Sequence, residues 1–73
     1  MELEQMRQLD AIARQGTISA AAEELHLSQP ALSRSIRRLE RELGQELFDR
    51  THNSATLNDA GRLAVDHARN LLR

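Results

Sequence analysis

The sequence predicts a mainly α fold in which a three-helix core is followed by a small β-hairpin and a final helix. Three observations predict it. Apolar residues recur at spacings of three and four over most of the 73 residues, the pattern of amphipathic helices. Gly16 and Gly44 interrupt that pattern where helices should stop, since glycine suits the left-handed position just past a helix end. The chain has no Cys and a single aromatic, Phe48, so its core must rest on Leu, Ile, Ala and Met without disulfides or thiolate metal sites. Below about 80 residues such a chain depends on regular helix packing or oligomerisation.

The first helix spans residues 1–15, with Leu3, Met6, Leu9, Ile12 and Ala13 on one side and Glu2, Glu4, Arg7 and Arg14 between them. After Gly16, Thr17 or Ser19 can cap a second helix that begins near Ser19. That helix is short, about two turns, and its run Ala20-Ala21-Ala22 lets another helix approach closely. Ser28 then offers an N-cap and Pro30 falls in a first turn, where a missing N–H is tolerated, so a third helix runs to about Leu43.

At 100° per residue, Leu32, Ile36, Leu39 and Leu43 of this helix lie within roughly ±30° of one direction. Pro30, Arg34, Arg37 and Arg41 lie roughly 130–190° away, with Ser33 toward the edge of that polar face. One face is core and the other is an arginine stripe. Leu47-Phe48-Asp49-Arg50 and Ala55-Thr56-Leu57 suit two short strands joined by the turn-rich Thr51-His52-Asn53-Ser54. Asn58 is an N-cap with Asp59 in the first turn of a last helix, in which Ala60, Leu63, Ala64, His67, Ala68, Leu71 and Leu72 recur at helical spacing. That apolar stripe is still running at Arg73 and wants a partner, either the domain itself or a second chain.

The formal charge is −1, which excludes a strongly basic tail or a supercharged nucleic-acid coat, but the charge is segregated. It is −3 over residues 1–27, +3 over 28–41, −2 over 42–50 and +1 over 51–73. The positive block is the third helix, and the acidic first segment, repelled by phosphate, should face away from any nucleic acid. A positive helix face after a short helix and a tight turn is the footprint of a recognition helix in a major groove. Arg is apt there because its planar fork bonds guanine or phosphate through two donors. With the hairpin able to act as a wing, the pattern favours a winged helix-turn-helix. No apolar run approaches the ~18 residues of a membrane span, and the acidic N-terminus is unlike a secretory signal, so the expected compartment is the cytoplasm.

Gly16-Thr17-Ile18-Ser19 with Ala21-Ala22, then Leu27-Ser28-Gln29-Pro30-Ala31-Leu32-Ser33, Ile36, Leu39-Glu40, Leu43-Gly44, Leu47-Phe48, Arg50, and Leu57 with Ala60-Gly61, together carry a resemblance. The chain resembles the N-terminal DNA-binding region of LysR-type bacterial transcriptional regulators, over essentially its whole length and without gaps. The resemblance implies a winged helix-turn-helix over residues 1–57 and the start of a linker helix over 58–73 that pairs with its counterpart in a dimer. It implies that Gln29, Pro30, Ser33 and Arg34 meet bases in the major groove. Periodicity reaches Pro30, Ser33 and Arg34 independently, whereas Gln29 rests on the family alone. Thr17, Ser19, Ser28 and Arg50 match positions that approach the phosphate backbone, and Arg37, on the arginine stripe, is assigned to the backbone with them. Leu63, Ala64, Leu71 and Leu72 are the expected dimer contacts.

The chain departs from the family in several places. Leu9 and Ile18 stand where aromatics are usual, Asp10 where an apolar residue is frequent, and Asn58 where Thr usually precedes the linker helix. Residues 51–55 lack the Arg or Lys that usually reaches the minor groove. The family's larger C-terminal domain, which binds a small-molecule co-inducer, is absent from these 73 residues.

Other functions have less behind them. Ser33, His52 and Asp59 have no catalytic motif around them, and His26, His52 and His67 have no metal-ligand spacing. Each histidine reads as a surface residue or, for His67, as part of the helix packing. No enzyme activity, cofactor or metal is expected. The alternative from a different class is a helical protein-protein interaction module without DNA binding, which would explain the terminal apolar stripe. The expected function is sequence-specific binding of double-stranded DNA as a homodimer on an interrupted inverted repeat, with half-sites about one helical turn, ~34 Å, apart.

Overall fold

Glu2 and Gln5 start the first helix reciprocally: the Glu2 side chain accepts from the N–H of Gln5, while Gln5 Oε1 accepts from the Glu2 N–H at 3.1 Å. This capping box satisfies two donors that a helix start leaves unpaired. The computed structural model describes residues 2–49 and 56–73. They form α1 (Leu3–Gln15), α2 (Ile18–Leu25), α3 (Gln29–Leu43), β1 (Phe48–Asp49), β2 (Thr56–Leu57) and α4 (Asp59–Leu72).

The helix boundaries follow the expected signals. Gly16 ends α1 at φ 83°, and Thr17, not Ser19, caps α2, its Oγ1 accepting from the Ala20 N–H at 3.1 Å. The second helix therefore opens at Ile18, one residue earlier than expected. Gly44 ends α3 at φ 64°, and the Gln45 N–H returns to the Glu40 carbonyl at 3.0 Å. The α2–α3 turn has no glycine, so His26 takes the left-handed conformation at φ 58° and the Leu27 N–H bonds back to the Ala22 carbonyl at 2.9 Å.

The central element is α1, which packs on α2, α3 and α4. The core gathers Leu9, Ala11 and Ile12 of α1, Ala21 and Ala22 of α2, Leu32, Ile36 and Leu39 of α3, and Leu47, Phe48 and Val65 beyond them. The alanines of α2 let that short helix sit close to its neighbours. Buried polar side chains are satisfied across elements. Gln8 Oε1 accepts from the Ser35 hydroxyl, and Glu40 Oε2 accepts from the Leu47 N–H at 2.8 Å. The second bond ties the end of α3 to the chain entering β1. The two strands pair antiparallel, Phe48 with Leu57 and Asp49 with Thr56. The turn expected at residues 51–54 lies outside the described residues.

Three expectations are corrected. Leu43, placed on the core face, is 44% exposed, because it is the last residue of α3 and the core ends at Leu39. Leu3, at the start of α1, is exposed for the same reason. In α4 the buried face is Gly61, Val65 and Ala68, about a quarter-turn from the centre of the predicted stripe. The apolar arc of α4 is wider than one packing face. Its core side lies on α1, and Leu63, His67 and Leu71 remain exposed on the other, so His67 is a surface residue and not part of the internal packing.

Candidate nucleic-acid interface

The site is built on α3. Ser28 caps it, Oγ accepting from the Ala31 N–H at 3.1 Å, and Pro30 sits in its first turn. Leu32, Ile36 and Leu39 hold one side in the core, which turns Pro30, Arg34, Arg37, Arg38 and Arg41 outward, while Gln29 is exposed because it is the first residue of the helix. Ser33 lies half-buried at the edge of that face, as its angular position requires. Arg38, at the opposite margin of the stripe from Arg37, joins this face although it was not among the residues singled out from the sequence. The exposed arc of four arginines covers roughly 100° of the helix.

These arginines differ from those within the other helices in what surrounds them. Arg7 lies 4.0 Å from Glu4, Arg14 pairs with Asp10 and Glu24, Arg62 with Asp59 at 2.8 Å, and Arg69 with Asp10 at 2.9 Å. Among the described residues, Arg34, Arg37, Arg38 and Arg41 have no carboxylate partner and no hydrogen bond from their side chains. Their donors are available to an anion. Of the acids in the first two helices, Glu4, Asp10 and Glu24 are instead drawn into internal pairs. Hydrogen bonds from Arg14 and then Gln15 hold the Glu24 carboxyl down to about 2.

The hydroxyls of Thr17 and Ser28 cap α2 and α3 through oxygen, leaving their protons to donate outward. Ser19 is exposed in the first turn of α2. Two helix starts with exposed hydroxyls thus accompany the arginine stripe, an arrangement suited to phosphate oxygens. Arg50 and residues 51–55 lie outside the described residues. Of the expected dimer contacts, Leu63 is 73% and Leu71 55% exposed, while Ala64 and Leu72 are half-buried, Ala64 against the core of its own chain.

Residues 3–62 match the family model described as the bacterial regulatory helix-turn-helix protein, lysR family. The transcriptional regulator ClcR of Pseudomonas putida is 47% identical over 72 residues, covering 99% of this chain and 24% of ClcR. The SDS degradation transcriptional activation protein of a Pseudomonas species is 49% identical over 71 residues, or 97% of this chain and 23% of that protein. The chain therefore spans about a quarter of the length of these curated relatives. Among solved structures, the DNA-binding domain of CbnR complexed with DNA superimposes with a TM-score of 0.92 at 39% identity, covering 99% of this chain and 83% of that one. The DNA-binding domain of BenM on its benA site 1 DNA gives a TM-score of 0.93 at 35% identity, covering 99% and 81%. With the family model matched from α1 into α4, and the same fold found in these regulators, the chain belongs to the LysR family of bacterial regulatory helix-turn-helix proteins.

Proposed function

We propose that this chain binds double-stranded DNA sequence-specifically by laying α3 in the major groove, as a homodimer on an interrupted inverted repeat in the bacterial cytoplasm. The observation that carries this reading is the outward face of α3, where four arginines stand without acid partners while arginines of the other helices are paired. Gln29, Pro30, Ser33 and Arg34, at the N-terminal end of α3, read base edges. Thr17, Ser19, Ser28, Arg37 and Arg50 hold phosphates, joined by Arg38 and Arg41 farther along the helix. Leu63 and Leu71 supply the free apolar surface through which two α4 helices meet. That the similar domains of CbnR and BenM were solved in complex with DNA supports the DNA-binding reading.

Selection of binding sites from random DNA tests the reading, with wild type and Arg34→Ala compared. Loss of the Arg34 fork costs about 1–3 kcal/mol of binding and relaxes the preference at one base position. Unaltered affinity and preference in the variant would overturn the assignment of Arg34. Binding by wild type should weaken steeply with salt through counterion release, which docking to a protein would not reproduce.

A further inference from the structure

We infer that Asp10 is a positioning residue that fixes the direction of α4 relative to the recognition helix and thereby sets which half-site spacing the dimer accepts. The inference rests on the paired-domain reading above. Asp10 lies on α1, with its side chain only 19% exposed, and each of its oxygens has a partner. Oδ2 accepts from Arg14 Nε at 3.0 Å on the same helix, and Oδ1 accepts from Arg69 Nε at 2.9 Å on α4. Arg14 continues the chain of contacts to α2, its two terminal nitrogens donating to Glu24 at 2.9 and 2.6 Å, and Gln15 donates to the same carboxylate at 2.7 Å. One polar network thus joins three helices, and α1, its centre, also carries the recognition helix through Gln8 and Ser35.

The other end of α4 is held differently. Asn58 donates from its backbone to the Leu47 carbonyl at 3.0 Å and from its side chain to the Glu46 carbonyl at 2.9 Å. At Gly61 the helix rests directly on Leu47. Eight residues separate Gly61 from Arg69, a lever of about 12 Å. Between these ends Val65 and Ala68 are buried on the side of α4 that lies on α1, so without the Asp10 bond the helix stays seated but its far end is freer to shift.

The consequence for DNA follows from lengths. A swing of about 10° moves the Arg69 end by about 2 Å on that lever. Carried across a domain 24 Å wide, the same angle displaces the partner's reading head by about 4 Å, close to the 3.4 Å step of one base pair. The network lies at the surface, its arginines about half exposed, so its removal costs modest stability and leaves the fold while loosening this angle.

The test is selection from a library holding two half-sites separated by every spacer length, applied to wild type, Asp10→Ala, Arg69→Ala and Arg69→Lys, with thermal melting of each. Both alanine variants should keep the half-site bases but lose discrimination against spacers one base pair too long or short, by about threefold or more. Arg69→Lys, which keeps a cation opposite Oδ1, should restore much of it. Spacer preference unchanged in both alanine variants overturns the role of Asp10 and leaves the paired reading intact. Loss of the half-site preference together with melting assigns the network to folding and also overturns it. Single, unpaired half-sites selected by wild type overturn the paired reading itself.

Discussion

Gly61→Ala tests how α4 is seated. Gly61 lies in the first turn of α4, and a methyl group there would fall 2.1 Å from the Leu47 carbonyl oxygen and 2.9 Å from Leu57 Cδ2. The leucine methyl can rotate away, but the carbonyl is backbone and already accepts the Asn58 N–H at 3.0 Å. A carbon-oxygen contact is comfortable at roughly 3.3 Å, so α4 must retreat by about 1.2 Å. Overpacking of this kind costs about 1–3 kcal/mol. The strained Asn58 hydrogen bond adds about 1 kcal/mol, and the better helix propensity of alanine returns ~0.5–1 kcal/mol. The net is a destabilisation of about 2 kcal/mol, which in a domain of this size lowers the melting temperature by about 8–16 °C. Thermal unfolding followed by circular dichroism measures it. A melting temperature within about 2 °C of wild type, a change too small for any such clash, would refute the close seating of α4 on Leu47.

Acid should loosen the α1–α2 contact. Glu24 is held at about 2, below its ordinary 4.5, so the folded state binds fewer protons than the unfolded one across that window and stability is full above about pH 4.5 and lost as pH falls toward 2. Asp10 acts in the same direction: its burial pushes the carboxyl up, but the Arg69 and Arg14 hydrogen bonds outweigh that and leave it lowered. Urea midpoints at pH 6 and pH 3 should show the fall, and Glu24→Gln should flatten it. At the other end of the molecule, Leu71→Glu introduces a charge on a side chain that is 55% exposed, so the fold survives but sedimentation should shift toward monomer; an unchanged mass would remove Leu71 from the dimer contact.

The helices were legible because their ends are marked in the chain itself. Gly16 and Gly44 adopt the left-handed turns that their positions suggest, and Thr17, Ser28 and Asn58 cap the helices that follow. The arginine face of α3 was legible because Leu32, Ile36 and Leu39 define its opposite with little ambiguity. What escaped is what a single element cannot contain. In α4 the apolar arc is wide enough for two faces, and periodicity alone cannot say which one α1 covers. Glu40 and Gln8 are buried because Leu47 and Ser35 satisfy them, and Asp10 meets a partner 59 residues away. Which arginines have acid partners is likewise not written in the spacing: Arg7, Arg14, Arg62 and Arg69 are paired, and the four of α3 are not.

That distinction also resolves the charge. A total of −1 would disfavour phosphate if the charges were spread evenly, yet they are not independent. Paired charges, as in Glu4 with Arg7 or Asp59 with Arg62, act at a distance as small dipoles, and salt screens what remains beyond about 10 Å at 0.1 M. The four arginines of α3 point into one arc and add. A polyanion meeting that face therefore encounters a local cation, while one meeting the acidic side of the domain gains nothing. Weak attraction elsewhere limits binding to arbitrary DNA, which is driven almost wholly by phosphate charge, and so shifts the burden of affinity to the base contacts proposed for the front of α3. A low total charge and a concentrated one are thus not in conflict: the first suppresses the background against which the second must discriminate.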